Sequence, residues 1–286
     1  NLHSPFPGCG HSGDYRTDQC LAHFPGTTSR FTSRIGYVDL VGCSHFLGGG
    51  VPIEAWVMLN IVKTILVLSK LKIVFLLVFV AIGGMCKAAG GIPPGPALLA
   101  IIIGGTLAAA GANSINQGLD ADIDSVMPRT RERPVPSKQM TKRATIYLGI
   151  GGIAVALLII GTVTNWVAAF LTLIAALIYV FLYTMFMKRR SWNNIVIGGA
   201  AGALPPLIGA VAVIGEVEVV GLYMFGVVFF WTPPHFWALS LRLKDDYAAA
   251  SVPMLPVVAG ERDTGIQILA YIILLGFLAW IPYVAG

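Results

Sequence analysis

The chain has 286 residues, of which 56% are hydrophobic and 12% charged, with a formal net charge of +5. Soluble domains carry about a quarter charged residues, so a water-soluble core is excluded, and the mean hydropathy of +0.77 agrees. The net charge is modest, so its placement says more than its sum, and no nucleic-acid partner is expected.

Residues 1–52 are polar and rich in Gly, Pro, Ser and Thr, which reads as a disordered leader without a core. They hold Cys9, Cys20 and Cys43 with His3, His11, His23 and His45, but the spacings match no standard zinc pattern. Residues 53–69 are apolar yet carry Glu54 and Lys63, as an interfacial helix would. From residue 70 to 286 the chain reads as one all-α transmembrane bundle. Seven apolar runs are predicted as spans near 71–89, 97–115, 143–163, 165–187, 195–214, 219–241 and 266–285. Helices satisfy their own backbone in lipid, and runs this uniform are helical.

The connections are unequal. The link after the second span carries Arg129, Arg131, Arg133, Lys138, Lys142 and Arg143. Lys188, Arg189 and Arg190 follow the fourth span, and Arg242, Lys244 and Arg262 follow the sixth. The links on the other side hold Lys87 as their one basic residue. The positive-inside rule places the rich side in the cytoplasm. Every cluster capable of chemistry opens on that side.

The first such cluster ends the second span. Asn116, Asp120 and Asp124 are four residues apart each time, which puts them in one row on a helix face. With Asp122, three carboxylates crowd within five residues and repel one another unless a cation joins them. Magnesium fits, because it takes one or two carboxylates and completes its shell with water and phosphate oxygens. Arg129, Arg131 and Arg133 follow, and arginine pairs its donors with diphosphate oxygens. A solvated acidic-basic loop is the plainer alternative. Asp122 points off the row and is read equally as a supporting or solvated residue or as a direct ligand.

The second cluster is spread over three spans. Tyr183-Thr184 and Lys188-Arg189-Arg190 end the fourth. Pro205-Pro206 in the fifth and Pro233-Pro234 in the sixth predict breaks lining a cavity. His235, beside Trp237, is the one histidine outside the leader; it suits haem iron, an acceptor, a proton relay or mere packing. Asp245 and Asp246 form a candidate second magnesium pole, or else pair with Lys244 or Arg242.

These motifs resemble the UbiA superfamily of intramembrane prenyltransferases. The row Asn116, Asp120, Asp124 is shared across the superfamily. Thr232-Pro-Pro-His-Phe-Trp237 and Asp246-Tyr-Ala-Ala-Ala-Ser-Val-Pro-Met-Leu-Pro-Val258 resemble its haem-farnesylating branch. So does Lys188-Arg-Arg-Ser-Trp-Asn-Asn194. The resemblance runs from about Lys70 onward and implies nine spans, of which this chain has seven. Lys70-Leu71-Lys72 stands where the family has Lys-Pro-Arg, and Ser251 where it has glycine. It further implies farnesyl diphosphate as donor, haem B as acceptor and Mg2+ as cofactor. Asn116, Asp120, Asp124, Asp245 and Asp246 would hold the metal. Asn116, Arg129, Arg133, Lys188 and Arg189 would bind diphosphate, and Asp120, Asp124, Arg133, Lys188 and Asp246 would be catalytic. His235, Trp237 and Tyr183 would line the acceptor pocket. The expected setting is a bacterial plasma membrane with the site on its cytoplasmic face, and a haem A synthase downstream. Two other readings compete: prenylation of a quinone-precursor ring, and cation transport through Asp120 and Asp124.

Overall fold

Residues 53–285 are described in a computed structural model, helical almost throughout and with no strand among them. The predicted leader, with its cysteines and histidines, lies outside the described residues. The helices are α1 (Ile53–Ser69), α2 (Leu71–Ala89), α3 (Gly95–Leu119), α4 (Ala121–Val126), α5 (Lys142–Val163) and α6 (Trp166–Leu177). A π-helical segment, Ile178–Met187, continues α6. Then come α7 (Asn194–Ile214), α8 (Val219–Arg242), α9 (Lys244–Ala249), α10 (Leu255–Val258) and α11 (Gly260–Ala285).

Seven helices among the described residues are long and apolar enough to cross a membrane, and they match the predicted spans. α11 begins six residues before its predicted start, and α3 runs four residues past its predicted end and so carries Asn116 inside the helix.

Small residues set the packing distances. A Cβ on Gly111 in α3 would sit 2.6 Å from the Gly149 carbonyl oxygen of α5, and one on Gly149 would meet Gly111 in return. Gly84 of α2 faces the Pro206 backbone of α7, and Gly209 of α7 faces Ala81 of α2, each too closely for any side chain. Backbones approaching this closely gain dispersion contacts where lipid offers no hydrophobic drive. The most buried of the seven is α7, and Leu207 and Val211 pack there with Met85, Ile101 and Ile160. Many large apolar side chains on the outer faces, such as Phe75, Phe79, Phe170 and Phe277, stay exposed, as a lipid-facing surface requires.

The predicted breaks at the proline pairs do not form. α7 continues through Pro205-Pro206 and α8 through Pro233-Pro234. Each proline removes one i−4 hydrogen bond, but the turns on either side keep theirs, because an apolar setting penalises opening them further. The irregular stretch is instead the π-helical segment, which contains no proline.

Successive spans antiparallel to one another bring three connections to one end. There Ile123 and Met127 pack with Ile195, Val252 and Met254, with Tyr183 and Tyr247 against them. The turn before α10 holds Ser251 at φ 54°, a left-handed conformation in which glycine is easiest. The glycine that the resemblance leads one to expect here would adopt that turn without strain.

Candidate active site

The aspartate row is built across a helix junction. Asp120 caps α3 and precedes α4, and its N–H donates to the Asn116 carbonyl at 2.9 Å. The Asp124 N–H donates to the Asp120 carbonyl at 2.8 Å. The i−4 ladder therefore passes through the junction, and Asn116, Asp120 and Asp124 stay in register. All three are buried, at 3%, 1% and 2% exposure.

Two buried carboxylates need opposite charge. Lys188 Nζ lies 2.5 Å from Asp120 Oδ2, and Arg133 Nη1 lies 2.8 Å from both oxygens of Asp124. Asn116 Nδ2 donates to Asp120 Oδ2 at 2.7 Å and to Thr184 Oγ1 at 3.0 Å. With this amide orientation, Asn116 offers its nitrogen to the carboxylate, and its oxygen accepts from Lys70 Nζ at 3.0 Å.

Lys70 is the residue that sequence reasoning missed. It forms the single-residue elbow between α1 and α2, held at φ 49°. Asn113 and Gln117 of α3 donate to the last carbonyls of α1, at Ser69 and Leu68, and lock the elbow in place. Burial pushes the Lys70 ammonium down to about 7; Arg133 and Lys188 add to this, while Asp124 and Asp120 oppose it. The available signal was the resemblance, in which Lys70 stands at the lysine of Lys-Pro-Arg.

The π-helical segment supplies the other wall. Its wider turn aligns Tyr179, Thr184 and Lys188 toward α3: Tyr179 OH donates to Asn113 Oδ1 at 3.1 Å, and Thr184 Oγ1 donates to the Tyr179 carbonyl at 2.8 Å. In a regular α-helix, residues five apart diverge; i−5 bonding such as Lys188 N–H to the Tyr183 carbonyl brings them into line. Tyr183 stacks on Tyr179 with ring centroids 5.7 Å apart.

Of the remaining expected site residues, Arg189 lies beside the row, 3.9 Å from Asp120 Oδ1, and the others are dispersed. Arg129 is exposed and has no side-chain partner among the described residues. Arg189 holds Asp122, which is exposed as its off-row position suggested. That guanidinium pulls the Asp122 carboxyl down to about 2, and the carboxylate in turn raises Arg189. Asp245 is exposed and Asp246 half-buried on α9, while Lys244 pairs with Glu261 at 3.4 Å. His235 is exposed and stacks on Trp231 at 4.3 Å, whereas Trp237 is buried edge-on against Tyr271 at 5.4 Å. His235, Trp237 and Tyr183 thus point to three different surroundings.

The donor set fits a magnesium diphosphate better than a bare metal. Among the described residues, no group of three or more His, Cys, Asp or Glu side chains gathers closely enough to hold a cation unaided. Asp120 Oδ1 is nevertheless buried without a hydrogen-bond partner, with Arg189 Nη2 3.9 Å away. Magnesium typically keeps water and phosphate oxygens alongside one or two carboxylates.

Fold and site together define a multi-pass helical membrane protein with buried carboxylates and cations at one end of its bundle. The chain belongs to the UbiA prenyltransferase family, whose model matches residues 76–286. Among curated relatives, a protoheme IX farnesyltransferase of Thermus thermophilus is 44% identical over 77% of this chain. Those of Cutibacterium acnes and Symbiobacterium thermophilum are 46% and 47% identical over 75% and 76% of it. The chain spans 36%, 64% and 72% of these three relatives, respectively. A UbiA homologue from Archaeoglobus fulgidus, bound to DMAPP and Mg2+, has the same fold with a TM-score of 0.64. The likeness covers 78% of each chain at 17% identity. A structure bound to GPP and Mg2+ gives 0.63 at 18% identity.

Proposed function

We propose that this site binds the diphosphate of farnesyl diphosphate with Mg2+ and transfers the farnesyl group to a vinyl group of haem B. The observation that carries the reading is the buried pair Asp120 and Asp124, flanked by Lys188, Arg133 and Lys70. The names of the curated relatives support the choice of donor and acceptor. The two homologue structures, each holding a prenyl diphosphate and Mg2+, support the metal.

Asp120 and Asp124 would hold Mg2+, which neutralises charge on the departing diphosphate. Lys188 and Arg133 would turn from the carboxylates to the diphosphate oxygens, and the Lys70 ammonium would face the same anion. The C1–O bond of farnesyl diphosphate breaks with both electrons leaving on oxygen. The vinyl π electrons form the new bond to C1, and water captures the cation left beside the porphyrin, losing a proton to give a hydroxyethylfarnesyl group. Stacked Tyr179 and Tyr183 present aromatic faces suited to the allylic cation. The exposed His235–Trp231 pair offers the porphyrin a ring face and an imidazole. By the charge of its loops, the site faces the cytoplasm across a bacterial plasma membrane.

The test is incubation of the purified, detergent-solubilised chain with farnesyl diphosphate, haem B and Mg2+. The expected outcome is diphosphate release and extracted haem heavier by one farnesyl group plus water. Diphosphate release with a quinone-precursor ring while haem stays unchanged would move the acceptor to that ring. Absence of release with either acceptor would sink the reading.

A further inference from the structure

Asp122 and Arg189 lie outside the aspartate row, yet their geometry ties them to it. Arg189 Nη1 and Nη2 donate to the two oxygens of Asp122 at 2.5 and 2.7 Å, a two-pronged pair. Nη2 also donates to the Leu119 carbonyl at 3.2 Å, at the last residue of α3. The same nitrogen stands 3.9 Å from Asp120 Oδ1, the oxygen without a hydrogen-bond partner.

One guanidinium therefore holds the C-terminal carbonyl of α3 and a carboxylate in the first turn of α4, with Asp120 between them. A cation at a helix C-terminus satisfies orphan carbonyls and complements the helix dipole. Arg189 sits just beyond the π-helical segment, next to Lys188, so the same stretch of chain also sets the Lys188–Asp120 pair. Three of the five guanidinium N–H donors are engaged in this way.

We propose that the Asp122–Arg189 pair is a positioning clamp. It fixes the α3–α4 junction so that Asp120 and Asp124 keep the separation that a magnesium diphosphate requires. This rests on the reading of the row as a magnesium-diphosphate site. Exposed ion pairs add little to stability, so the clamp acts on the geometry of the junction and not on overall folding. Outer residues that orient ligands typically change metal affinity about 10–100-fold when removed.

The test compares Asp122→Asn, Arg189→Gln and the reversed pair Asp122→Arg with Arg189→Asp, all in the full chain. Hydrogen exchange is followed without metal over residues 116–126, alongside the Mg2+ dependence of diphosphate release. Both single variants should exchange faster across the junction and need about ten times more Mg2+ for half-maximal release. KM for farnesyl diphosphate at saturating Mg2+ should stay unchanged, and the reversed pair should recover both readouts. Unchanged exchange in both single variants overturns the clamp. So does a raised KM in Arg189→Gln alone, which makes Arg189 a diphosphate ligand. If the wild-type chain releases no diphosphate at all, the parent reading falls, while the exchange comparison still decides whether the pair holds the junction.

Discussion

Lys188 Nζ and Asp120 Oδ2 stand 2.5 Å apart although 68 residues separate them in the chain, and both side chains are largely buried. The pair joins the end of the π-helical segment to the end of α3. It also sets the resting charge of the site, because Asp120 has no closer cation.

Lys188→Met removes that cation and leaves Asp120 buried with Asn116 as its side-chain hydrogen-bond donor and Arg189 3.9 Å from its other oxygen. Breaking a buried pair from one side costs roughly 3–5 kcal/mol, so unfolding in detergent should shift accordingly. Asp120→Asn combined with Lys188→Met should recover part of the loss, because no unpaired charge remains. Both variants should lose diphosphate release. A double variant less stable than Lys188→Met would contradict the pairing.

At Lys70, backbone and side chain make opposite predictions. Lys70→Gly relieves a left-handed conformation that costs about 1–2 kcal/mol in a residue with a Cβ, yet it removes the ammonium. Lys70→Met removes the ammonium and keeps the backbone cost. Both should raise KM for farnesyl diphosphate, and the glycine variant should be the more stable. In the wild type, KM should rise as pH passes above about 7, where the buried ammonium gives up its proton. The methionine variant should lose that slope.

Ser251 tests the same principle away from the row. Its φ of 54° is left-handed, so Ser251→Gly should stabilise the chain by about 1 kcal/mol. A melting temperature equal to or below that of the wild type would argue against the turn.

The α3–α5 contact has an internal control. Gly111→Ala drives a Cβ to 2.6 Å from the Gly149 carbonyl, and overpacking of this kind costs about 1–3 kcal/mol. Gly151→Ala, in the same pair of helices, meets nothing within 4 Å and should be neutral or better, since alanine favours helix by roughly 0.5–1 kcal/mol. Equal melting temperatures for the two variants would rule out this contact.

Mg2+ and diphosphate should act together. No carboxylate cluster among the described residues holds a cation alone, so Mg2+ by itself should barely move the melting temperature. Mg2+ with inorganic diphosphate should raise it clearly, by binding the native state. Chelation should abolish both that shift and diphosphate release. A full shift from Mg2+ alone would point to a site formed by protein ligands only.

Much of this was legible beforehand. Seven spans follow from runs of apolar residues, and Asn116, Asp120 and Asp124 align because their spacing matches the helical repeat. The exposed position of Asp122 follows from the same repeat. Other features were not legible. Proline pairs suggested breaks in α7 and α8, but these helices run on, and the π-helical stretch formed in Ile178–Met187, where no residue type announces it. His235 and Trp237 are two residues apart, and so they face different sides of one helix.

By itself the sequence determined the membrane class, the span count and the carboxylate row, because hydropathy and helical periodicity are local properties that add along the chain. Only the tertiary structure decided which cation meets which side chain. Lys188 on Asp120, Arg133 on Asp124, Lys70 on Asn116 and Arg189 on Asp122 depend on how helices cross and on glycines that let them approach. Coulomb energy falls with distance and rises in a low dielectric, so packing selects the pairs from a loop composition that permits many.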